Sequence, residues 1–326
     1  MIGKAAREMA MRWKWPLIVL GLMAGLAALP WAILICAIPF NYRTPSEQDL
    51  RKSRLMAEAP PPLSKPVTLK VATFNIHDML LISFNRPERM AAIGALLTEL
   101  DPDIVGLQEA WVEADRETLW RAVQGSRLKY REYYPSGFVG SGKYILSAYP
   151  IKEAFFHRYT LGGKWYKPYH GDWWGGKGVA LARIELPDNA GYVDFYDTHA
   201  HAGYGSPEYD GVRAVQLLEL ADFVNRSAAG ASPAFIVGDM NSRVDRPMLR
   251  DAMDRGRFVR MMKLDSHIDH IFAVRNPRYI FEVLDTQIMD KEIDLAGGGR
   301  THLSDHPGYI STIQITPVPH PPSAVP

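Results

Sequence analysis

Side chains that can bind a metal ion or transfer a proton follow a series of short apolar runs in this chain. In order they are Asn75 after ATF, Glu109 after IVGLQ, His199 after FYDT, Asp239 and Asn241 in FIVGDMN, Asp269 in HIDHIF, and Asp305 with His306 in SDH. Polar groups placed just after the strands of a sheet collect at one rim, where α/β enzymes build their sites. Each residue alone is ordinary, as a turn residue or a solvated charge. The ordered set predicts an active site.

The residue types in this set predict metal-assisted hydrolysis of a phosphoester. Asn, Glu and Asp offer hard oxygen ligands, which suit Mg²⁺ or Mn²⁺ better than zinc. The two histidines can supply a base and a donor for phosphate oxygens. No side chain stands out as a nucleophile, so water is the expected attacking group.

The elements that must position these residues begin at Val67, where short β-like runs start to alternate with helical ones. Many strands and few helices predict a layered α/β domain, with sheets packed face to face, over residues 67–316. The expected strands are 69–76, 103–111, 143–151, 177–186, 192–200, 234–241, 267–274, 279–289 and 308–315, and the expected helices are 86–100 and 209–225.

The N-terminal part of the chain has the composition of a membrane anchor. Pro16 to Phe40 contains no charged residue and exceeds the roughly 20 apolar residues that span a bilayer. Basic residues precede it, so the positive-inside rule predicts a cytoplasmic N-terminus and an extracytoplasmic domain, periplasmic if the cell is bacterial. A cleaved signal peptide is the alternative. The predicted order is a basic N-terminus (1–15), a transmembrane helix (16–40), a polar Pro-rich linker (41–66), the catalytic domain (67–316) and a Pro-rich tail (317–326).

Charge and cysteine content exclude some classes of protein. Lys and Arg number 37 against 36 Asp and Glu, a net charge of +1. A dedicated nucleic-acid binder normally carries a basic excess, so no nucleic-acid partner is expected. The single cysteine, Cys36, excludes an intramolecular disulfide and a Cys-built zinc site. The oligomeric state stays open.

The order ATFN, LQE, TH, GDMN, DH and SDH resembles the endonuclease/exonuclease/phosphatase superfamily over about residues 67–316. The resemblance implies the DNase I-like fold, a four-layer β-sandwich flanked by helices, preceded here by the transmembrane helix. The superfamily includes nucleases, inositol-phosphate phosphatases and neutral sphingomyelinases, so the fold leaves the substrate open. One departure is ATFNIHD, where His77 and Asp78 replace the usual Asn-x-Asn or Asn-x-x-Trp form.

Three stretches are similar to the neutral sphingomyelinase branch: 133–151, with its Ser-Gly and Gly-Ser-Gly pattern, 198–224, with THAHAGY, and 171–181. The third places Asp172 five residues before Lys177, like an Asp–Lys pair of that branch. Each stretch also has an ordinary interpretation. The glycines could form a flexible hairpin, His201 could pack in the core, and Asp172 and Lys177 could form an exposed ion pair of negligible energy.

Aromatic residues are concentrated between residues 165 and 174, a stretch flanked by Gly162, Gly163, Gly175 and Gly176. Tryptophan and tyrosine favour the membrane interface, where one end of the ring is dry and the other is wet. We therefore expect this loop to face lipid beside the active site, and the alternative is an aromatic cluster folded over the edge of the core. The expected lipid-facing residues are Trp165, Tyr169, Trp173 and Trp174.

The resemblance implies a Mg²⁺-dependent phosphodiesterase, with Mn²⁺ as a second option, that hydrolyses sphingomyelin to ceramide and phosphocholine at a membrane surface. Glu109 and Asn75 are the expected metal ligands, with Asp305 sharing in the site. The expected catalytic set is His306 as base, Asp269 to orient it, Asp239 and Asn241 to position water and phosphate, His199 to stabilise developing charge, and Lys177 with Asp172 to tune substrate access. The alternatives are a phospholipase C for another phospholipid, a phosphoinositide phosphatase, a DNase I-like nuclease, or a tethered binding protein without catalysis.

Overall fold

The computed structural model describes residues 2–41, 60–80, 82–167, 169–228 and 230–319. Its helices are α1 (Ile2–Asn41), α2 (Arg86–Leu100), α3 (Glu113–Ala122), α4 (Asp210–Ser227) and α5 (Pro247–Gly256). Its strands are β1 (Val67–Asp78), β2 (Ile104–Ala110), β3 (Tyr130–Tyr134), β4 (Lys143–Ser147), β5 (Ile151–Arg158), β6 (Gly178–Leu186), β7 (Gly191–His199), β8 (Ala234–Asp239), β9 (Phe258–Arg260), β10 (Asp269–Val274), β11 (Tyr279–Met289), β12 (Glu292–Asp294), β13 (Arg300–His302) and β14 (Gly308–Pro317).

Two six-stranded sheets pack face to face. The first has the strand order β11-β14-β1-β2-β4-β3, and the second has β5-β6-β7-β8-β10-β9. One hydrophobic cluster draws on the inner faces of both sheets, including Val71 from the first and Phe195 from the second. The remaining pair, β12 and β13, forms a small hairpin.

A helix pair covers the outer face of each sheet. One cluster joins the first sheet to α2 and α3, and another joins the second sheet to α4 and α5. In α2 the side chains of Met90, Ile93 and Leu97 recur every three or four positions, so they share one buried face. The layers therefore run helix, sheet, sheet, helix, which confirms the four-layer prediction.

The chain crosses between the sheets at a place where the sequence predicted one continuous strand. The run 143–151 is divided, with β4 ending at Ser147 in the first sheet and β5 beginning at Ile151 in the second. The hydroxyl of Ser147 accepts a hydrogen bond from the Tyr149 N–H at 3.0 Å, and Pro150 follows. A side-chain turn followed by proline ends the strand, so the prediction of a single strand was wrong.

The N-terminal helix is longer than the predicted span. Within α1, Lys14–Cys36 is long and apolar enough to cross a membrane. Among the side chains described in that stretch, Leu34 is the buried one, and it packs against Trp173 of the layered domain.

The flanks of the domain are described in part. Residues 42–59 of the predicted linker and 320–326 of the predicted tail lie outside the described residues. Leu63 is buried, and its N–H donates to the Tyr279 hydroxyl at 3.0 Å, while Ser64 bonds to the Ala190 carbonyl. The chain therefore makes contact with the folded domain a few residues before β1.

Candidate active site

Two pairs of parallel strands bring the predicted residues to one rim. Asn75 lies near the end of β1, which runs parallel to β2, where Glu109 lies; His199 ends β7 opposite Asp239, which ends the parallel strand β8. The Asn75 amide connects the two sheets, because its Nδ2 donates to Glu109 Oε1 at 3.2 Å and to Asp239 Oδ2 at 3.1 Å. The carboxyl ends of all four strands therefore converge, as the sequence predicted.

Backbone conformation aims two of these side chains. Glu109 has φ 58° and Asn241 has φ 47°, both in the left-handed region that non-glycine residues seldom adopt. Such a residue at a strand end breaks the alternation of side chains and is typical of functional sites. Asn241 is held by its own N–H, which donates to Asp239 Oδ1 at 2.8 Å, and by its amide, which donates to the Ala200 carbonyl at 3.1 Å.

A fifth strand of the site, β10, supplies the aspartate of an aspartate–histidine pair. Asp269 begins β10 directly opposite Asp239 in the antiparallel register. Its Oδ2 lies 2.8 Å from Nδ1 of His306, and Nε2 of His306 lies 3.9 Å from Asp239 Oδ2. Ligand atoms of Asp239, Asp269 and His306 all lie within 4.8 Å of one another. Asp269 thus fixes the imidazole with its other nitrogen directed toward the carboxylates.

The pKa values at the rim reflect crowded negative charge. Burial raises the pKa of Glu109 and of Asp269, and burial together with the Asp269 charge raises the pKa of Asp239 to about 6. Burial of His306 opposes its protonation, but the hydrogen bond to Asp269 and the nearby carboxylates outweigh it and raise the pKa of His306 to about 9. The site therefore favours added positive charge.

The carboxylates have the character of a divalent cation site. Among the residues that the structure describes, Glu109 Oε2 and Asp269 Oδ1 are buried without a hydrogen-bond partner. Buried carboxylate oxygens are costly unless a donor or a cation satisfies them, and oxygen-rich sets suit Mg²⁺ or Mn²⁺. Asp305 is placed differently: its side chain is 57% exposed and lies 3.6 Å from Nδ1 of His77. It sits at the edge of the site, whereas Asn75 and Glu109 lie inside it.

Asp172 and Lys177 form a buried ion pair, so the interpretation of an exposed pair was wrong. Lys177 Nζ lies 2.7 Å from Asp172 Oδ1, and the two side chains are 4% and 9% exposed. The same nitrogen lies 2.7 Å from His199 Nε2 and donates to the Ala200 carbonyl at 2.9 Å. Although burial opposes it, Lys177 lowers the pKa of Asp172, and burial with the Lys177 charge lowers the pKa of His199. This arrangement holds His199 neutral beside Asp239, 3.4 Å away.

His201 has the surroundings of a packing residue. Its Nδ1 lies 2.7 Å from the Ala202 carbonyl and 3.2 Å from Asp172 Oδ2, and its ring stacks on Tyr209. His201 therefore helps to hold the Asp172 side chain in position.

The aromatic loop divides into exposed and buried rings. Trp165 and Tyr169 are exposed, as predicted. Trp173 is 3% exposed and packs against Leu34 and Trp174, so its prediction as a lipid-facing residue was wrong. Trp174 is half-buried, with its ring 5.8 Å from that of Phe138. Trp173 supports the loop from inside.

Arg89, which the sequence analysis overlooked, holds the site together. It lies on the buried face of α2 and donates to the carbonyls of Leu303 at 2.7 Å and His77 at 3.2 Å. It thereby joins the end of β1 to the segment that carries His306. An arginine on the apolar face of a helix was the available signal, because such a position requires buried acceptors.

A second overlooked feature is a pair of buried ionisable side chains, one from each sheet. Lys143 and Asp197 are fully buried, and Gln108 Nε2 donates to Asp197 Oδ1 at 2.7 Å. Burial lowers the pKa of Lys143 to about 8 and raises the pKa of Asp197 to about 8. The signal in the sequence was a lysine at the start of an apolar run and an aspartate inside one.

The four-layer sandwich and the rim of carboxylates and imidazoles define the class of DNase I-like proteins. Residues 72–306 match the model of the endonuclease/exonuclease/phosphatase family, and the chain belongs to that family.

Relatives and solved structures are consistent with this membership. A putative neutral sphingomyelinase from Caenorhabditis elegans is 40% identical over 49% of this chain and 37% of its own length. Sphingomyelin phosphodiesterase 2 from Rattus norvegicus is 36% identical over 53% of this chain and 41% of its own. The chain thus spans about two fifths of the length of these relatives. Beta toxin from Staphylococcus aureus has a TM-score of 0.59 at 21% identity, covering 74% of this chain and 99% of its own, which shows the shared fold.

Proposed function

We propose that this chain is a divalent-cation-dependent phosphodiesterase that hydrolyses sphingomyelin to ceramide and phosphocholine. The observation that carries the proposal is the buried group of Glu109, Asp239 and Asp269, two of whose carboxylate oxygens have no hydrogen-bond partner among the described residues, beside His306 and His199. The relatives named as sphingomyelinases support the substrate. The exposed rings of Trp165 and Tyr169 next to the site support action on a lipid.

The cation would be Mg²⁺ or Mn²⁺, held by Glu109 with help from the neighbouring aspartates, and when bound it would stabilise negative charge on the phosphate. Asn75, whose Nδ2 donates to Glu109 and Asp239 and whose Oδ1 accepts from the His77 N–H, would position these carboxylates. Asp305, exposed at the edge, would contribute from outside this group. Asp269 accepts the Nδ1 proton of His306, so Nε2 can take a proton from water once the imidazole is neutral. Positive charge among the carboxylates favours that neutral form, because it opposes the charges that raise the pKa of His306.

The remaining side chains would position the phosphate and the leaving group. Asn241 and Asp239 orient the water and the phosphate oxygens. The Lys177 ammonium donates to Nε2 of the neutral His199 at 2.7 Å, so this pair places positive charge near the charge that develops on the phosphate. Asp172 holds Lys177 in place, and a change in that ion pair would alter access for the substrate.

Membrane attachment is part of the proposal. The apolar stretch Lys14–Cys36 would cross the bilayer once and keep the enzyme at its substrate. The basic residues before it favour a cytoplasmic N-terminus and an extracytoplasmic catalytic domain, periplasmic in a bacterium.

A panel of substrates tests the function. The full chain in mixed micelles receives sphingomyelin, phosphatidylcholine, a phosphoinositide or plasmid DNA, each with Mg²⁺ and with EDTA. We expect phosphocholine release from sphingomyelin that EDTA abolishes and Mg²⁺ restores. DNA nicking without phosphocholine release would overturn the proposal, and faster cleavage of phosphatidylcholine would reassign the substrate.

An inositol phosphosphingolipid is the second candidate substrate. The phospholipase C for such lipids from Schizosaccharomyces pombe is 35% identical over 44% of this chain. Adding that lipid to the panel distinguishes the two headgroups, since both reactions would release ceramide-type products but different phosphorylated headgroups.

A further inference from the structure

A second apolar loop, absent from the sequence predictions, lies beside the site. It begins at Met79, directly after β1 and four residues after Asn75. Its large apolar side chains are exposed to solvent. Leu80 is 64% exposed, Ile82 is 58% exposed and Phe84 is 79% exposed. Single exposed apolar residues are common, but a group on one loop at the mouth of a site marks an interaction surface.

This loop is in contact with the aromatic loop. Met79 Cε lies beside Gly171, where a Cβ would come within 3.3 Å of it. Leu80 therefore follows directly on a residue that touches the loop carrying Trp165 and Tyr169.

A third loop extends the same surface. Gly137 pairs with Gly175, and Phe138, which is exposed, lies 5.8 Å from the Trp174 ring. The exposed apolar residues of these three adjoining loops are Leu80, Ile82, Phe84, Phe138, Val139, Trp165, Tyr166 and Tyr169.

Backbone groups of the loop after β1 are hydrogen-bonded to neighbouring side chains. The Ser83 hydroxyl accepts from the Met79 N–H at 2.9 Å, and Arg86 donates to the Leu80 carbonyl at 2.6 Å. Arg86 is itself held by Asp115 at 2.8 Å. These bonds satisfy the Met79 N–H and the Leu80 carbonyl within the protein, as a loop that enters an apolar phase requires of its backbone groups.

The position of α1 indicates the occupant of the surface. Leu34 lies near the end of the apolar stretch Lys14–Cys36 and packs against Trp173, inside the aromatic loop. The end of the anchor therefore meets the catalytic domain at the aromatic loop. The surface of a bilayer crossed by α1 would therefore lie at the level of these exposed apolar residues.

We propose that Leu80, Ile82 and Phe84 insert into the bilayer leaflet next to the catalytic domain, so that the mouth of the site opens directly onto lipid. The proposal rests on the proposed function in naming lipid as the substrate source. It adds a second insertion element, in contact with the aromatic loop at Gly171 and carrying two aliphatic side chains and one phenylalanine. A substrate headgroup could then enter the site while its tails stay in the bilayer.

Depth measurement tests the insertion without any reference to catalysis. Cys36 is the single cysteine, so in the Cys36→Ser background one fluorescent label can be attached to an introduced cysteine of the full chain. The labelled protein is measured in vesicles of phosphatidylcholine and sphingomyelin. The label is placed at Phe84→Cys or Ile82→Cys, with Ile280→Cys as the matched control, because Ile280 is exposed at the far end of β11. Spin-labelled lipids should quench the first two labels several-fold more than the control. Equal quenching at all three positions would overturn the proposal, and would indicate that a protein partner or solvent covers the loop.

Activity in the same vesicles gives a second readout. Turnover of sphingomyelin is divided by turnover of a water-soluble choline phosphodiester, for Phe84→Asp, Ile82→Asp and Ile280→Asp. Burying one such side chain in an apolar phase is worth about a tenfold change in a binding equilibrium. The ratio should therefore fall about tenfold for the first two variants and stay constant for Ile280→Asp. A constant ratio for all three overturns the insertion, whereas loss of both reactions in the unmodified chain would contradict the proposed function and leave the depth result standing.

Discussion

Asp239 and Asp269 face each other across neighbouring strands, both buried and both with raised pKa values. Two carboxylates so placed repel each other unless positive charge lies between or beside them. His306 supplies part of that charge through its bond to Asp269, and a bound divalent cation would supply the rest. The carboxylates of the site therefore require positive charge beyond that of His306.

Glu109→Gln tests the central ligand. The amide keeps the shape of the side chain and removes its charge, so cation affinity and electrostatic stabilisation both weaken. We expect turnover of sphingomyelin to fall by about 10²–10³ at saturating Mg²⁺. Glu113→Gln is the control, because Glu113 is exposed at the start of α3. Equal turnover in the two variants would contradict the assignment, as measured by phosphocholine release.

His270 makes the stability of the fold dependent on pH. Its ring is fully buried, between the Ser242 carbonyl at 2.9 Å and the Ser266 hydroxyl at 2.8 Å, and burial lowers the pKa of His270 to about 4. The folded pKa lies below the unfolded value of about 6.5, so protonation favours unfolding. Stability should be lost as the pH falls from about 6.5 towards 4, by roughly 2–3 kcal/mol from this group.

The His270→Gln variant isolates this contribution. Its melting temperature should fall less between pH 7 and pH 4.5 than that of the unmodified chain. The exposed His302, replaced by Gln, serves as the control and should leave the pH dependence unchanged. Parallel curves for all three proteins would refute the assignment.

Long apolar elements could be predicted from the sequence, and short polar ones could not. The helix over 86–100 was predicted with the bounds that α2 has, since Pro87 near its start and the buried face from Met90 to Leu97 mark it. α3 and α5 were overlooked because they are ten residues each and bury few side chains. Their helical state depends on packing against α2 and α4, which no local pattern reveals.

The site was predictable to the same extent as the strands that carry it. Asn75, Glu109, His199 and Asp239 follow strong strand signals, so their convergence followed from topology. Burial of Lys177 could not be predicted, because it depends on contacts with β7 and on the turn that carries Asp172. Burial of Trp173 depends on α1, which is distant in sequence.

The element that joins Asp172 to β6 gives a prediction on stability and activity together. Lys177→Met leaves a buried carboxylate without its main partner and should destabilise the fold by about 3–5 kcal/mol. Adding Asp172→Asn should recover most of that stability, while sphingomyelin turnover stays low in both variants. Wild-type turnover in the double variant would show that the pair is only structural.

A surface pair provides the matched control. Lys65 and Asp188 form an ion pair at 3.2 Å, but their side chains are largely exposed. Lys65→Met should therefore change the free energy of unfolding by less than about 1 kcal/mol in the same denaturant titration.

The whole molecule depends on close contact between the two sheets below the rim. Gly106 of β2 lies where a Cβ would meet Val237 Cγ2 at 2.5 Å and Asp197 Cγ at 3.1 Å. The missing side chain allows the second sheet to approach and gives Asp197 its place beside Gln108. The separation of the sheets in turn sets the distance that the Asn75 amide bridges.

Gly106→Ala should separate the sheets locally. Overpacking of this kind typically destabilises by about 1–3 kcal/mol, and it should also weaken cation binding, because Asn75 joins the sheets at the rim. Gly211→Ala is the control: it lies in α4 with open space around it and should be neutral or slightly stabilising. Thermal unfolding with and without Mg²⁺ measures both effects. A smaller loss in the first variant than about 0.5 kcal/mol would show that the sheets tolerate the methyl group.

The pairing of β1 with β14 has a consequence for folding of the protein during its synthesis. Val67 lies opposite Ile315, and all strands of the second sheet are synthesised between these two. A nascent chain can therefore complete the second sheet while the first still lacks β11 and β14, the strands that flank the segment with His306. The active site would therefore be incomplete until translation passes these strands. A growing chain held at a lipid surface by α1 would not hydrolyse lipid before that point.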